Sequence, residues 1–453
     1  MTTPISRPFF ITEENFRSGR DSPREYLERC LDSLAKFEPD VGAFVHLEIQ
    51  NARVLADAST KRWRDGKEFS RIDGMPIGIK DLVETIDMPT QCGSPVYQGH
   101  WSGRDSASVK ALRQAGAIIL GKTVTTEFAA VVPRGTRNPW DFLRTPGGSS
   151  SGSAAAVAAG MVPVALGAQV VGSLLRPGSY CGVVAYKPSL GAINRGGAND
   201  NMSQCVHGPL AASLEDAWIF TREIADRAGG DPGFPGLFGP AEPPQPMQPR
   251  RIGLLETAGW SMADPEAKQA FNLAVEHIAA SGVQIVRRNN HARLDELERA
   301  IFQSGIASVG IVGYETRWPL NTYRDKNPDN LSSFLLSRLE TSEKMTLADY
   351  RALLVERDKA RSLYAMLSAD LDVLITLAAP GPAPIGIHST GDTIFNTPAS
   401  YLGTPALSLP VLSVQGLPLG LQTMGYLNQD AELFSYSAWV YDLMIKVHQQ
   451  QIT

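Results

Sequence analysis

Apolar residues recur at the three- and four-residue spacing of an amphipathic helix in several stretches of the chain. Residues 22–37 form one such stretch, with Ser22 as the predicted N-cap and Pro23 in the first turn. Its apolar positions are Tyr26, Leu27, Cys30, Leu31 and Leu34. A second helix is predicted for 105–116, with Asp105 as its N-cap. Further helices are predicted for residues 153–160, 264–282 and most of 295–367.

Short apolar and β-branched runs lie between these helices, and such runs are typical of buried strands. They are residues 74–80, 117–121, 162–166, 251–255 and 371–376. The alternation of strands and helices predicts an α/β fold with a mixed sheet. A stretch rich in proline and glycine, 229–249, is predicted to be a loop that crosses within one large domain.

Charge and hydropathy narrow the range of partners. The 453 residues include 42 Lys and Arg against 47 Asp and Glu, which gives a net charge of −5 without a basic patch. This balance argues against nucleic acid or an anionic membrane surface as the main partner. Because no apolar run approaches the roughly 18 residues of a membrane span and the N-terminus is polar, we expect a cytoplasmic protein.

The cysteines and histidines give no metal-binding pattern. Cys30, Cys92, Cys181 and Cys205 form no CxxC pair, and the seven histidines show no HExxH or HxH spacing. We therefore expect the cysteines to be reduced and mostly buried, and we expect neither a metal nor another cofactor.

The segment with the most chemical information is the glycine- and serine-rich run of residues 144–153. A flexible linker is one interpretation, but a predicted helix and a buried strand follow at once. A phosphate-binding loop would need a lysine that this run lacks. The third interpretation is an ordered active-site loop at a helix N-terminus, where backbone N–H groups are free to bind. The run by itself leaves these interpretations open.

The run and its neighbours resemble the amidase signature family of serine hydrolases. The matching segments follow one another in the family's order over roughly residues 20–440. They are Gly74-Met-Pro-Ile-Gly-Ile-Lys80-Asp81, Ala115-Gly-Ala-Ile-Ile-Leu-Gly-Lys122, Thr145-Pro-Gly-Gly-Ser-Ser150, Cys181-Gly-Val-Val184, Gly208-Pro-Leu-Ala211, Gly403-Thr-Pro-Ala-Leu-Ser-Leu-Pro410 and Gly416-Leu-Pro-Leu-Gly-Leu-Gln422. The resemblance implies a single α/β domain over 1–453, in which helices cover a mostly central mixed sheet.

The resemblance also implies a division of the chain and a set of catalytic residues. The implied parts are a catalytic core segment over 20–225, a connection over 226–250, a variable helical pocket region over 251–367 and a closing core segment over 368–440. By the family pattern, Lys80 is the base, Ser149 the relay serine after a cis peptide bond, and Ser173 the nucleophile. The implied oxyanion hole consists of the backbone N–H groups of Val170, Val171, Gly172 and Ser173.

The implied chemistry is physically coherent. A serine hydroxyl needs a base within hydrogen-bond reach to become a nucleophile. A lysine can serve only in its neutral form, which burial favours. Ser149 would then pass the proton of Ser173 to Lys80, and we expect activity to fall below about neutral pH as Lys80 gains a proton.

The chain departs from the family pattern in the loop before the nucleophile. Ala168 and Gln169 stand where the family has threonine and aspartate, and Val171 replaces a glycine. An arginine comes one place late at Arg176, Cys205 stands where an aspartate is common, and Ala212 where an arginine is common. Since valine cannot readily adopt positive φ, the loop must either suit a β-branched residue or be distorted.

Three functional hypotheses follow from the match and its departures. The first is an active hydrolase of small-molecule amides, carbamates or esters, which uses water as the acceptor and is broadly similar to the urethane-cleaving branch. The second is an impaired member that binds a ligand or has a structural role in a complex. The third is the glutamine amidotransferase subunit of this family, against which the loop departures count.

Aromatic and apolar residues in 295–367 are candidates for the substrate pocket. They are Phe302, Tyr314, Trp318, Tyr323, Phe334 and Leu335. They could equally be core residues of the predicted helices. If some of them line the pocket, an aryl or apolar amide fits better than a small polar one.

Overall fold

The strands of the chain join into one sheet in the computed structural model, which describes residues 3–452. The eleven strands within that range are β1 Phe44–Leu47, β2 Pro76–Lys80, β3 Ile118–Thr123, β4 Val164–Gln169, β5 Val184–Lys187, β6 Val206–Ala211, β7 Arg251–Leu254, β8 Gln284–Val286, β9 Val373–Leu377, β10 Ala406–Val414 and β11 Leu417–Met424. Their order in the sheet is β1-β3-β2-β4-β6-β5-β10-β11-β9-β7-β8. The sheet is mixed, since β3, β2 and β4 run parallel whereas β4 and β6 run antiparallel.

Helices cover both faces of this sheet. They are α1 Glu13–Ser18, α2 Pro23–Val41, α3 Ile49–Arg64, α4 Ala107–Gln114, α5 Ser151–Ala158, α6 Leu175–Cys181, α7 Leu214–Ala228, α8 Pro265–Ala280, α9 Ala292–Ile301, α10 Ser304–Lys326, α11 Ser333–Glu343, α12 Leu347–Met366, α13 Thr397–Leu402 and α14 Asp430–Ile452. Alternate residues of the central strands belong to two apolar cores, as with Leu166 and Ala165. The predicted single α/β domain with a central mixed sheet is confirmed.

Most predicted elements are present with shifted ends. The Ser22 hydroxyl caps α2 by accepting from the backbone N–H of Glu25, as predicted. The predicted Asp105 cap of α4 is wrong, because the Ser106 side chain accepts from Val109 N and caps the helix. The Asp105 carboxylate instead accepts a hydrogen bond from Ile86 N at 2.8 Å.

The helical prediction for 295–367 is confirmed by α9 to α12, and residues 229–249 hold neither a helix nor a strand. The alanine-rich helix α5 begins at Ser151, two residues before the predicted start. Its small residues allow close packing, since a Cβ on Gly152 would lie 2.1 Å from the carbonyl oxygen of Ala43. This packing fixes the start of α5, and therefore the serines before it, against the central strands.

Candidate active site

Lys80 and the segment that carries Ser173 lie at one edge of the central strands. Lys80 is the last residue of β2, and Gln169 is the last residue of β4, which runs parallel to β2. Parallel strands end at the same edge of a sheet, so the segment after β4, which carries Ser173, lies on the side of Lys80. The serines that precede α5 face the same edge.

Lys80 binds the serine run directly. Its Nζ donates to the Oγ of Ser149 at 2.7 Å and to the Oγ of Ser150 at 3.0 Å, and it lies 3.4 Å from the carbonyl oxygen of Ala168. The peptide bond between Gly148 and Ser149 is cis. Lys80 and Ser149 are therefore brought together as the family resemblance implied. Ser150 is a contact that the sequence analysis did not identify, although it is the next residue in the run.

Burial controls the charge of Lys80. Its side chain is 0% exposed, and this burial lowers the pKa of Lys80 to about 7. The adjacent Asp81 does not restore the charged form by pairing with Lys80, because its carboxylate lies 3.1 Å from Nζ of the equally buried Lys122. A substantial fraction of Lys80 is consequently neutral near pH 7 and able to accept a proton.

A second buried polar group lies close to Lys80 at the start of β6. The Asp200 carboxylate accepts from the Sγ of Cys205 at 3.2 Å and lies 2.9 Å from Nε2 of His207. Although burial opposes ionisation, His207 and Arg195 lower the pKa of Asp200 to about 2. A carboxylate thus lies beside Cys205, where the family pattern has an aspartate, but it comes from a residue five positions earlier. Asp200 and Cys205 offset part of the effect of burial on the pKa of Lys80.

Ser173 lies between β4 and α6 and is 6% exposed. Three residues later, the Nη2 of Arg176 donates to the carbonyl oxygen of Gly148 at 2.6 Å, next to Ser149. A Cβ on Gly147 would lie 2.8 Å from Cα of Pro177, so the two segments are in van der Waals contact. The late arginine therefore joins the segment that carries Ser173 to the segment that carries Ser149.

The loop before Ser173 presents free backbone donors. Among the residues that the structure describes, none takes a hydrogen bond from the N–H groups of Val170, Val171, Gly172 or Ser173. Val171 lies outside the left-handed region, so the glycine-to-valine departure is accommodated without positive φ. Gly172 is required by close packing, since a Cβ there would lie 2.9 Å from Oδ1 of the buried Asn396. Asn396 was not found from the sequence.

Gln169 gives the loop its shape. Its Oε1 accepts from the backbone N–H groups of Leu174 and Leu175 at 2.9 and 3.1 Å, and its Nε2 donates to Ser400 Oγ at 3.0 Å. A neutral amide serves both as acceptor and as donor, and it needs no cationic partner. The replacement of the family's aspartate by glutamine therefore keeps an acceptor for the N–H groups that follow Ser173.

Replacing Gln169 by leucine should leave those two buried N–H groups without an acceptor. We expect a loss of about 2 to 4 kcal/mol in the free energy of unfolding, measured by urea denaturation. We also expect kcat to fall about tenfold or more, because the segment that carries Ser173 loses its anchor. The matched control Ser400→Ala removes only the partner of Nε2 and should retain kcat. Equal kcat in both variants would contradict this role of Gln169.

The candidate pocket residues of 295–367 have different environments. Phe302, Trp318 and Phe334 are exposed, whereas Leu335 is buried in an apolar cluster. The exposed three therefore do not form an enclosed pocket wall. Tyr314 stacks on Tyr350, with ring centroids 4.2 Å apart. Tyr323 stacks on Phe128, which lies outside 295–367 and was not identified from the sequence.

No group of three or more His, Cys, Asp or Glu side chains within residues 3–452 is placed to hold a metal ion. The four cysteines are buried and unpaired. Across the same described range, no helix combines the length and the apolar character of a membrane span.

The chain is similar to known proteins over nearly its whole length. The sequence model of the family described as Amidase matches residues 25–434. A curated relative from Cyanothece sp. (strain PCC 7425 / ATCC 29141) is one of the subunits of glutamyl-tRNA(Gln) amidotransferase. It is 30% identical over 479 aligned residues, which cover 96% of this chain and 97% of the relative.

The fold is also similar to those of solved amidase structures. A crystal structure of an amidase superposes with a TM-score of 0.83 at 26% identity and covers 96% of this chain and 99% of that one. The native peptide amidase of Stenotrophomonas maltophilia superposes with a TM-score of 0.77 at 26% identity and covers 97% of each chain.

Proposed function

Because this chain belongs to the amidase family, we propose that it hydrolyses amide-type bonds with Ser173 as nucleophile, Ser149 as proton relay and Lys80 as base. The observation that carries the proposal is the 2.7 Å contact between Nζ of a wholly buried Lys80 and Oγ of Ser149. A buried amine with a pKa near 7 is a base suited to neutral pH.

In the proposed acylation step, neutral Lys80 accepts a proton from Ser149 while Ser149 accepts the proton of Ser173. The Ser173 oxygen then attacks the substrate carbonyl carbon and forms a tetrahedral intermediate. The free N–H groups of Val170, Val171, Gly172 and Ser173 are the candidate donors to the developing oxyanion. Preorganised donors of this kind stabilise such an intermediate by about 3 kcal/mol each.

The same groups complete the reaction. The proton held on Lys80 returns through Ser149 to the leaving amine, which departs and leaves Ser173 acylated. Water then enters, loses a proton to Lys80 through Ser149, and attacks the acyl carbonyl carbon. The bond between the acyl carbon and Oγ of Ser173 then breaks, and the proton on Lys80 returns through Ser149 to Ser173, so the products are a carboxylic acid and free Ser173. Carbamates and esters would react by the same steps, so a carbamate (urethane) substrate belongs within this proposal.

Active-site labelling tests the proposal. After incubation with a fluorophosphonate, we expect one adduct in the intact mass, and peptide mapping should place it on Ser173. The protein with Lys80→Met should label far more slowly, because Ser173 would lack its base. A folded protein that forms no adduct would favour the impaired, ligand-binding alternative.

A second candidate function is glutamine hydrolysis within an amidotransferase complex. The observation that favours it is the full-length match to curated proteins named as subunits of glutamyl-tRNA(Gln) amidotransferase. In that role the chain would release ammonia from glutamine. Assays of the isolated chain on glutamine, on anilides, and on a carbamate and an ester separate the two candidates. Turnover of glutamine alone would replace the proposed function with this one.

A further inference from the structure

We propose that three aromatic residues, Tyr97, Phe128 and Tyr323, form a binding surface for the apolar part of the substrate, so that the site selects uncharged aryl or bulky apolar amides. We call them the aromatic cluster. This inference rests on the proposed function, because it concerns the substrate of the same site. It goes further by naming the chemical class that the site accepts and the residues that select it.

The aromatic cluster is tied to the relay serine through residues 126–130. The backbone N–H of Thr126 donates to the carbonyl oxygen of Ser149 at 3.3 Å. The methyl group of Thr126 lies 3.2 Å from where a Cβ on Gly148 would stand. Phe128 follows two residues later in the chain. The segment that carries Phe128 therefore touches the serine loop on both sides of the Gly148–Ser149 bond.

The aromatic cluster also borders the loop with the candidate oxyanion donors. Phe128, Tyr97 and Val170 pack, each partly buried, against one apolar group of side chains. The members of that group are Leu82, Cys92, Ala168, Met202, Cys205 and Val312. These side chains carry no carboxylate, ammonium or guanidinium group. A substrate carboxylate placed against them would lose its hydration without gaining a cationic partner from this group, whereas an apolar substrate group would gain by burial.

The three rings contact one another in pairs. Phe128 and Tyr323 are stacked, with ring centroids 5.6 Å apart at 15°. Tyr97 is edge-on to both rings at 5.8 Å, and its hydroxyl lies 2.7 Å from that of Tyr323. All three residues remain partly exposed, although Phe128 and Tyr323 also pack against a second apolar cluster of four leucines. Aromatic rings favour offset or edge contacts with a further ring, which an aryl substrate would supply.

The backbone at Phe128 is held in an uncommon conformation. Phe128 and Ala129 have φ of 47° and 56°, in the left-handed region that non-glycine residues rarely adopt. The conformation is fixed by Phe128 N donating to the carbonyl oxygen of Cys92 at 2.8 Å and by the Thr126 hydroxyl donating to the carbonyl oxygen of Ala130 at 2.6 Å. Backbone strain of this kind concentrates at ligand-binding and catalytic sites.

Two sulfonyl fluorides that differ by one phenyl ring test the inference. Phenylmethanesulfonyl fluoride and methanesulfonyl fluoride both modify an activated serine, and intact mass gives the rate for each. We expect the ratio of the phenyl reagent's rate to the methyl reagent's rate at Ser173 to fall about tenfold in Phe128→Ala, which removes the ring. The intrinsic reactivity of each reagent cancels when the ratio is compared between variants.

Further variants separate a binding role from a folding defect. Tyr323→Ala removes the stacked ring from α10 without touching the backbone of Phe128, and it should lower the same ratio. Tyr323→Phe is the matched control, because it keeps the ring and loses only the hydroxyl contact with Tyr97. An unchanged ratio in both Phe128→Ala and Tyr323→Ala would overturn the inference alone. If neither reagent modifies Ser173, the proposed function fails and the inference falls with it.

Charge selectivity gives an independent readout. The 4-nitroanilides of butyric and succinic acid have acyl chains of equal length, and only the second carries a free carboxylate. We expect kcat/KM to be at least about tenfold higher for the butyryl compound, since the apolar group offers a carboxylate no partner. A preference for the succinyl compound would overturn the inference and direct attention to the guanidinium of Arg176.

Discussion

Replacement of Ser173 by alanine is expected to lower kcat/KM for anilide hydrolysis by about 10⁴-fold or more, since no covalent intermediate can form. The residual rate would come from substrate binding and from the backbone donors of the preceding loop. Ser149→Ala should retain somewhat more activity, because water can replace a relay hydroxyl but not a nucleophile. The measurement is steady-state kinetics on each purified variant.

The control for this experiment is a buried serine outside the site. Ser437 in α14 is 0% exposed and lies 2.7 Å from the hydroxyl of Thr423, so Ser437→Ala also removes a buried hydroxyl. It should leave kcat/KM within a few-fold of the unsubstituted protein. Full activity in Ser173→Ala would refute the assignment of the nucleophile.

Lys80→Met is expected to lower kcat/KM about 10³-fold, which is within the usual contribution of a general base. In the unsubstituted protein, kcat/KM should fall about tenfold per pH unit below pH 7. The reason is that the pKa of Lys80 is about 7 and only the neutral amine accepts the proton of the relay serine. A rate that stays constant from pH 6 to pH 9 would contradict the role of Lys80.

The same lysine should make the free energy of unfolding depend on pH. An unfolded lysine has a pKa near 10.4, whereas Lys80 has a pKa of about 7 in the folded protein. Between these values the unfolded chain binds more protons, so stability rises as pH increases from about 7 to about 10. The Lys80→Met substitution should remove this contribution. Compared with the unsubstituted protein, the variant should gain most in free energy of unfolding below pH 7, because there the unsubstituted protein buries a charged amine when it folds.

Lys187 provides a matched control for these pH effects. It is also 0% exposed, and burial lowers its pKa to about 7, but its Nζ donates to the carbonyl oxygens of Thr404 and Pro188. Lys187→Met should therefore change the pH dependence of unfolding without moving the apparent pKa of kcat/KM. A shift of the kinetic pKa in Lys187→Met would show that the kinetic profile does not report Lys80.

An active hydrolase needs free N–H groups in an ordered loop before Ser173, whereas an impaired member does not. Gln169, Val171 and Arg176 depart from the family pattern, yet they make a loop whose N–H groups are free and whose anchors are hydrogen-bonded. This geometry supports an active hydrolase over an impaired member. The division of the chain into the segments 20–225, 226–250, 251–367 and 368–440 stays a prediction.

The sequence by itself determined the elements whose signals are local. Ser22 and Pro23 predicted the start of α2, because a cap acts within one turn of its own helix. Apolar runs predicted β2, β3, β4 and β9 to within a few residues, since burial imposes their composition. The ordered motifs predicted Lys80, Ser149 and Ser173 as one catalytic set, because their spacing and neighbours match the pattern of one family; that role stays a prediction.

Only the tertiary structure decided the contacts that join distant parts of the chain. The hydroxyl groups of Tyr97 and Tyr323 meet across 226 positions, and Gln169 reaches Ser400 across 231. Asp200 brings a carboxylate to Cys205 from five positions earlier in the chain, whereas the family pattern has an aspartate at the position of Cys205 itself. Such contacts depend on the path of the backbone, which local spacing does not encode. The pKa of Lys80 belongs to this group as well, because burial by the whole fold sets it.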